Sequence, residues 1–422
     1  MKFVLASWGS RGDIEPAVAV GRELVRRGHE VRVAVPPELV GFAESAGLVA
    51  VAYGLDNRSI LEAHGTFAAC LFRSPWRVHH LITSYRAFWD LITQCWKDIS
   101  TTLTSLADGA DLLFTGQVFE DPAANVAEHY DIPLATLHWF PLRAIGQVLP
   151  FLPSPLGRLA TTAEEWRAWR MAKKMEDEQR RQLGLPKATC RSSRRITERG
   201  SLEIQAYDEV LFPGLAAEWA KFDGQRPFVG ALTMELPTDA DDEVASWIAA
   251  GTPPIYFGFG SMLVESAADT LAMISAACAD LGERALVCAG QSDFSAVPHF
   301  PHVKVVRAVN FAQVFPACRA VVHHGGAGTL AAGLRAGRPT LILWMDIAQL
   351  YWGDRVKRLK VGTARRFAAT TRESLVADLR TILAPECVAR ARELASKMTK
   401  PAESLTATAD LVEIFALSGK VE

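Results

Sequence analysis

Ala320-Val321-Val322-His323-His324-Gly325-Gly326-Ala327-Gly328-Thr329 runs from an apolar stretch through a glycine cluster into helix-forming sequence. Ala320 to His323 reads as a short buried strand. A helix then reaches Ala336, Gly337 stops it, and Pro339 to Trp344 forms the next strand. The same order begins upstream, where Ile255 to Phe259 is an apolar strand ending at Gly260-Ser261 and a helix covers roughly Ala267 to Leu281 before Gly282. Ala285 to Ala289 and Val303 to Val306 are further strands. At the amino terminus, Lys2 to Ser7 is a strand, Gly9-Ser10-Arg11-Gly12 a turn, and a helix starting near Pro16 turns Val20, Leu24 and Val25 inward. Gly28 ends that helix, and Val31, Val33 and Val35 alternate with Arg32 and Ala34 as the next strand. Strand, glycine turn, helix and strand in this order make a right-handed βαβ unit, so the chain reads as two α/β domains in tandem.

The chain is 422 residues long, 49% hydrophobic and 22% charged, which fits globular domains with large cores and excludes a disordered chain. Forty-five Lys and Arg against 47 Asp and Glu give a net charge of −2, which excludes a chain-wide attraction to nucleic acid. Seven scattered cysteines, with no C-x-x-C pair, read as reduced thiols of a cytoplasmic protein. The amino terminus lacks a signal-peptide apolar region, and no apolar run of ~18 residues is present to span a membrane.

Leu211-Phe212-Pro213-Gly214 and Pro237 to Asp242 bracket the expected hinge. The domains are placed at 1–225 and 226–402, with a helix at about 403–422 packing back on the first. Arg158 to Arg199 holds 12 Lys and Arg against 6 Asp and Glu, with Trp166, Trp169 and Met171 interleaved. It reads as a helical excursion followed by a mobile loop at Cys190 to Arg195. A solvated charged helix and a peripheral contact with anionic lipid at the inner membrane surface are both open for it.

Glycines after a buried strand let backbone N–H groups approach an anion, and the following helix adds the positive end of its dipole. The cluster at Gly325 to Thr329 matches neither a P-loop nor a G-x-G-x-x-G turn, so close packing and phosphate binding both remain open. A neighbouring histidine can donate to the same oxygens. Asp13 ends the amino-terminal turn, where it would repel a phosphate. It serves either as a helix N-cap or as a general base held over a cleft. Strand ends and glycine turns in such domains line the crevice where ligands bind, which suggests a phosphorylated or nucleotide ligand on the second domain facing a carboxylate of the first.

Gly9-Ser10-Arg11-Gly12-Asp13-Ile14-Glu15-Pro16 with Arg27-Gly28-His29-Glu30-Val31, Pro253 to Met262, Val321 to Thr329 and Ala336-Gly337-Arg338-Pro339 resemble, in order and across nearly the whole chain, the bacterial and fungal family 1 glycosyltransferases acting on sterols, macrolides, glycopeptides and glycopeptidolipids. The resemblance implies a GT-B fold: two Rossmann-like α/β domains facing a cleft, the nucleotide-sugar donor on the second and a hydrophobic acceptor on the first. It implies an inverting transfer with Asp13 as base and His324 at the donor diphosphate. It also implies donor contacts from Gly12, Gly260, Ser261, Gly326, Gly328 and Thr329, and from the main chain of Val309 at the base. No metal or other cofactor is implied beyond a dTDP- or UDP-linked donor.

One departure concerns the sugar. In Asp346-Ile347-Ala348-Gln349-Leu350-Tyr351-Trp352-Gly353, Gln349 matches the family, but Ala348 stands where an acidic residue usually grips sugar hydroxyls. Asp346 either substitutes for it or caps the helix that follows. A methyl group there suits a 6-deoxyhexose such as that of dTDP-rhamnose. Phe72, Trp76, Trp139 and Phe140 are the expected acceptor contacts, among the wider set Phe67, Phe88, Trp89, Trp96, Leu142, Val148, Leu149 and Phe151. The helical spacing of Trp89 and Trp96 equally fits core. His79 and His80 lack a third ligand at metal spacing and read as surface or packing residues. The rival functions are a GT-B nucleotide-sugar epimerase and a non-catalytic nucleotide-sugar-binding helper.

Overall fold

The computed structural model describes residues 1–60, 62–63, 66, 70, 78–143, 145–146, 154–222, 224–260, 266–290 and 299–419. They divide into two compact units. The first holds Met1–Ala206, Leu215–Leu232 and the run from Ala402, and the second holds Tyr207–Gly214 and Thr233–Pro401.

In the first unit six strands pair in parallel in the order β3-β2-β1-β4-β5-β6. They are β1 (Lys2–Ala6), β2 (Glu30–Val35), β3 (Val49–Ala52), β4 (Leu112–Gly116), β5 (Leu134–His138) and β6 (Leu202–Gln205). β1 lies between β2 and β4, with Phe3 opposite Val31 and Leu112. Both its faces are therefore covered, so Phe3 to Ala6 form an unbroken apolar run rather than alternating with polar residues. Helices Val78–Ala107 and Glu120–Tyr130 close one layer of the core through Cys95, Ile99, Leu103, Ala123 and Val126.

The first helix begins at Arg11, not near Pro16, because Ser10 and Asp13 cap it reciprocally and let the first turn close earlier. Pro16 therefore lies inside the helix, where its missing N–H gives up one bond to the preceding turn. Val20 and Leu24 are buried as expected, whereas Val25, rotated about 100° past Leu24, is exposed. Gly28 takes φ +90° and ends the helix. The segment expected to be a mobile loop near Cys190 instead forms the helix Ser192–Glu198.

The second unit repeats the arrangement in the order β12-β11-β10-β7-β8-β9. Its strands are β7 (Ile255–Gly258), β8 (Ala285–Cys288), β9 (Val303–Val306), β10 (Ala320–His323), β11 (Thr340–Trp344) and β12 (Gly362–Arg366), all parallel. Ile255, Phe257, Val287, Val322 and Leu341 meet helices Ala267–Leu281 and Arg372–Leu383 on one face. Tyr256, Leu286, Val321 and Phe315 pack on the other. In each unit the first three strands run outward one way and the last three the other. The chain direction thus switches between β1 and β4, and again between β7 and β10, and such a switch opens a crevice at the carboxyl ends of the strands.

Candidate functional site

Asp13 follows β1 at the first switch point. It is the third residue of helix Arg11–Arg26, not its N-cap, and its Oδ2 accepts from the Ser10 N–H at 2.7 Å and the Ser10 hydroxyl at 2.8 Å. The Ser7 hydroxyl donates to the Asp13 carbonyl at 2.8 Å. Gly9, at φ +135°, lies against the carboxylate, and a Cβ there would stand 2.5 Å from Oδ2. Oδ1 takes no hydrogen bond among the described residues. Burial pushes the carboxyl pKa up to about 6 despite the bonds from Ser10 that lower it. Helix capping and an available base are therefore compatible, one oxygen for each.

Around this turn Trp8 packs edge-on against Phe119 at 5.2 Å, and Trp96 against Phe119 at 6.3 Å. Phe119 holds a left-handed φ of 61°, a conformation costly for an aromatic residue, as it caps helix Glu120–Tyr130. Trp96 is core, its Nε1–H donating to Gln179 at 3.0 Å. Trp139 and Phe140 follow β5 and are half-buried, with the Trp139 N–H on Gln117 Oε1 at 3.2 Å. Arg143, buried between Glu120 and Glu203, anchors that segment. Phe72 and Trp76, like Phe67, Val148, Leu149 and Phe151, lie outside the described residues. His79 and His80 are exposed in the first turn of their helix, and no cluster of metal-ligating side chains occurs among the described residues.

At the second switch point β10 ends in His323, and His324 follows it. His323 is fully buried, and its Nδ1 accepts from the Gly325 N–H at 3.1 Å. Burial drives its pKa down to about 3, so it is a neutral turn-former. Two glycines lie against the His324 imidazole. A Cβ at Gly260 would lie 2.5 Å from its Cε1, and one at Gly326 would lie 2.8 Å from its Nε2. Burial lowers the His324 pKa as well, so the ring is neutral near pH 7, and its Nδ1 has no hydrogen-bond partner among the described residues.

Packing thus accounts for Gly260 and Gly326, and for Gly325, whose φ is +108° and whose Cβ would meet the Gln349 Cβ at 2.9 Å. Gly328 has no such reason: nothing lies within 4 Å of where its Cβ would be. It and Thr329 occupy the first turn of helix Ala327–Arg335, whose N-cap is Gly326. Gly328 is exposed there, and the N–H groups of a first helical turn have no partners within the helix, so packing supplies no reason for this glycine and an anion-binding turn stays compatible with it. Val309 is buried just before Asn310, whose side chain caps the next short helix. Gly12 is an exposed second residue of its helix, and Ser261 lies outside the described residues.

Asp346 is the N-cap of helix Ile347–Arg358, its Oδ1 accepting from the Gln349 N–H at 2.9 Å. Gln349 Oε1 reciprocates, accepting from the N–H groups of Met345 at 2.7 Å and Asp346 at 3.3 Å. The capping alternative for Asp346 is therefore the one seen, and the oxygen of Gln349 is engaged by backbone. Ala348 is exposed in the same turn.

The Ser10-x-x-Asp13 spacing was the signal for the first capping box. Gly290, which follows β8 and packs on Gly260, had only its place after a strand to mark it. Of the 12 basic residues from Arg158 to Arg199, nine form ion pairs with carboxylates of this chain, including Arg180 with Glu128 and Arg195 with Glu176.

A family profile described as the glycosyltransferase family 28 N-terminal domain matches residues 3–96, and one described as the erythromycin biosynthesis protein CIII-like C-terminal domain matches residues 260–414. An uncharacterised glycosyltransferase of Mycobacterium tuberculosis is 61% identical over 416 residues, 98% of either chain. Among solved structures, the glycosyltransferase of kitacinnamycin superposes with a TM-score of 0.72 at 17% identity over 98% of either chain. The spinosyn rhamnosyltransferase SpnG, complexed with thymidine diphosphate, does so at 0.65 and 18% identity over 97% of this chain and 100% of its own.

Proposed function

Because this chain belongs to the bacterial family 1 glycosyltransferases and has their GT-B fold, we propose that it transfers a 6-deoxyhexose from a thymidine diphosphate donor to a hydroxyl of a hydrophobic acceptor, with inversion. The acceptor oxygen attacks the anomeric carbon, the bond from that carbon to the diphosphate oxygen breaks, and the electron pair leaves with the diphosphate. The acceptor proton passes to Oδ1 of Asp13, which is unbonded among the described residues and has a pKa near 6, suited to a base at neutral pH. The open carboxylate at the switch point carries the assignment. The departing charge meets His324 and the N–H groups of Gly328 and Thr329. These donors belong to the chain, and turnover is expected to survive EDTA.

For the sugar, Ala348 supports the assignment: a methyl group faces outward where a carboxylate would hold hydroxyls, and such a charged contact is typically worth ~1.5–3 kcal/mol. The thymidine diphosphate complex of the rhamnosyltransferase SpnG points the same way. A thermal-shift panel of nucleotide sugars tests the donor, with dTDP-rhamnose expected to stabilise the protein more than UDP-glucose. Asp13→Asn is expected to lower kcat by ~10²–10⁴ with little change in donor affinity. A variant with near-normal turnover would leave Asp13 with its capping role alone.

A further inference from the structure

The register of the second sheet places Gly258 opposite both Cys288 and His323, so β7, β8 and β10 end at one level. Gly290 stands two residues beyond Cys288, at φ +59°. Its N–H donates to the Arg307 carbonyl at 3.1 Å, and the Ala289 N–H donates to the Val306 carbonyl at 2.8 Å, which pins it to β9. A Cβ at Gly290 would lie 2.3 Å from the carbonyl oxygen of Gly260 and 3.2 Å from its carbonyl carbon. Gly260 in turn rests on the His324 ring, as does Gly326.

We infer that Gly290 is a positioning residue for the diphosphate site: it sets the height of the Gly260 turn, and that turn sets the His324 imidazole. Both atoms of the 2.3 Å approach are backbone or rigidly attached to it, so no side-chain rotation relieves a clash there. The anchored partner is Gly290, held on β9. The displaced one is therefore Gly260, and it bears on the His324 ring, whose Cε1–Nε2 edge Gly326 also crowds. A sub-ångström shift of a hydrogen-bond donor to a charged phosphate oxygen weakens binding substantially.

The inference rests on His324 acting at the diphosphate, and the experiment separates the two. Gly282 supplies the control for backbone strain alone, since it has φ +66° and nothing within 4 Å of where its Cβ would be. Thymidine diphosphate is titrated calorimetrically into the full chain carrying Gly290→Ala, Gly282→Ala, His324→Ala, or Gly290→Ala with His324→Ala. The Cε1–H resonance of His324 is followed without ligand. Gly282→Ala should bind as the wild type does, while Gly290→Ala should bind about tenfold more weakly, as expected for a misplaced charged hydrogen bond. It should also move the His324 resonance.

In the His324→Ala background Gly290→Ala should weaken binding no further, and its loss of Tm should shrink to that of Gly282→Ala, because Gly260 can then retreat. That comparison holds even if Gly290→Ala alone folds poorly. Additive losses, or an unmoved resonance, would overturn the role of Gly290 while leaving that of His324 intact. Unchanged binding by His324→Ala would remove the diphosphate role itself, and the inference with it.

Discussion

Asp13 keeps its two carboxylate oxygens in different situations, one held twice by Ser10 and one open. Its pKa near 6 lies above the ordinary carboxylate range, so the folded state binds its proton more tightly than the unfolded chain does. The sign follows: the stabilisation is present below the unfolded pKa and is lost as pH rises through about 6. Asp13→Asn, which removes the buried charge while keeping a carbonyl for Ser10, should therefore raise Tm by roughly 2–4 °C at pH 8 and leave it unchanged at about pH 3.5. Calorimetry at the two pH values checks this. The acid limb of kcat/KM for the wild type should fall near pH 6, where the base becomes protonated. Burial lowers the His324 pKa, so the ring should add no limb on the alkaline side of the ordinary imidazole range.

At the scale of elements, two capping boxes shape the two ends of the proposed chemistry. One positions Asp13 at the start of helix Arg11–Arg26, and the other ties Asp346 to Gln349 at the start of helix Ile347–Arg358. The second leaves Ala348 facing solvent in its turn, so Ala348→Asp should restore a carboxylate without disturbing the cap. Competition between UDP-glucose and dTDP-rhamnose should then shift toward glucose by about tenfold to a hundredfold, the worth of a charged hydrogen bond to hydroxyls. If the wild type prefers UDP-glucose and loses that preference in Asp346→Ala, the deoxysugar assignment falls. The long helix Ser154–Gln182 and the short Ser192–Glu198 turn most of their basic residues onto carboxylates of the same unit. Vesicles of anionic lipid in a flotation assay are accordingly expected to show no salt-sensitive capture. Capture at low salt lost at high salt would show that enough charge remains outward.

Across the whole molecule, the C-terminal helix Pro401–Ser418 reaches back to the first unit, where Arg27 bridges Glu23, Asp410 and Glu413, and His29 meets Glu413 at 2.6 Å. The Arg27 side chain is 17% exposed, so its pairs are less screened than surface ones. Arg27→Ala should lower stability by about 1–2 kcal/mol through the loss of three charged pairs, while Glu23 keeps Arg26, Glu413 keeps His29 and Asp410 faces solvent. Chemical denaturation should show a lower midpoint for the transition of the first unit, and the difference should narrow in about 1 M salt.

Much of this protein is determined by sequence that acts over a few residues. Apolar runs such as Phe3 to Ala6 and Ala320 to His323 specify buried strands, because a strand covered on both faces admits no polar alternation. Gly28, Gly282 and Gly337 end helices at positive φ, which L side chains rarely adopt. The motif at Gly325 to Thr329 marked the turn but left packing and ligand binding unresolved, because a glycine looks the same in sequence for either purpose. Tertiary structure supplied a packing reason for Gly325 and Gly326, pressed by Gln349 and His324, and none for Gly328. It also brought Gly260 to His324 and Gly290 to Gly260 from far along the chain, and it paired most of the basic run with carboxylates. Strand pairing decided these matters, because which parallel strands become neighbours depends on contacts between distant residues and leaves no local period to read.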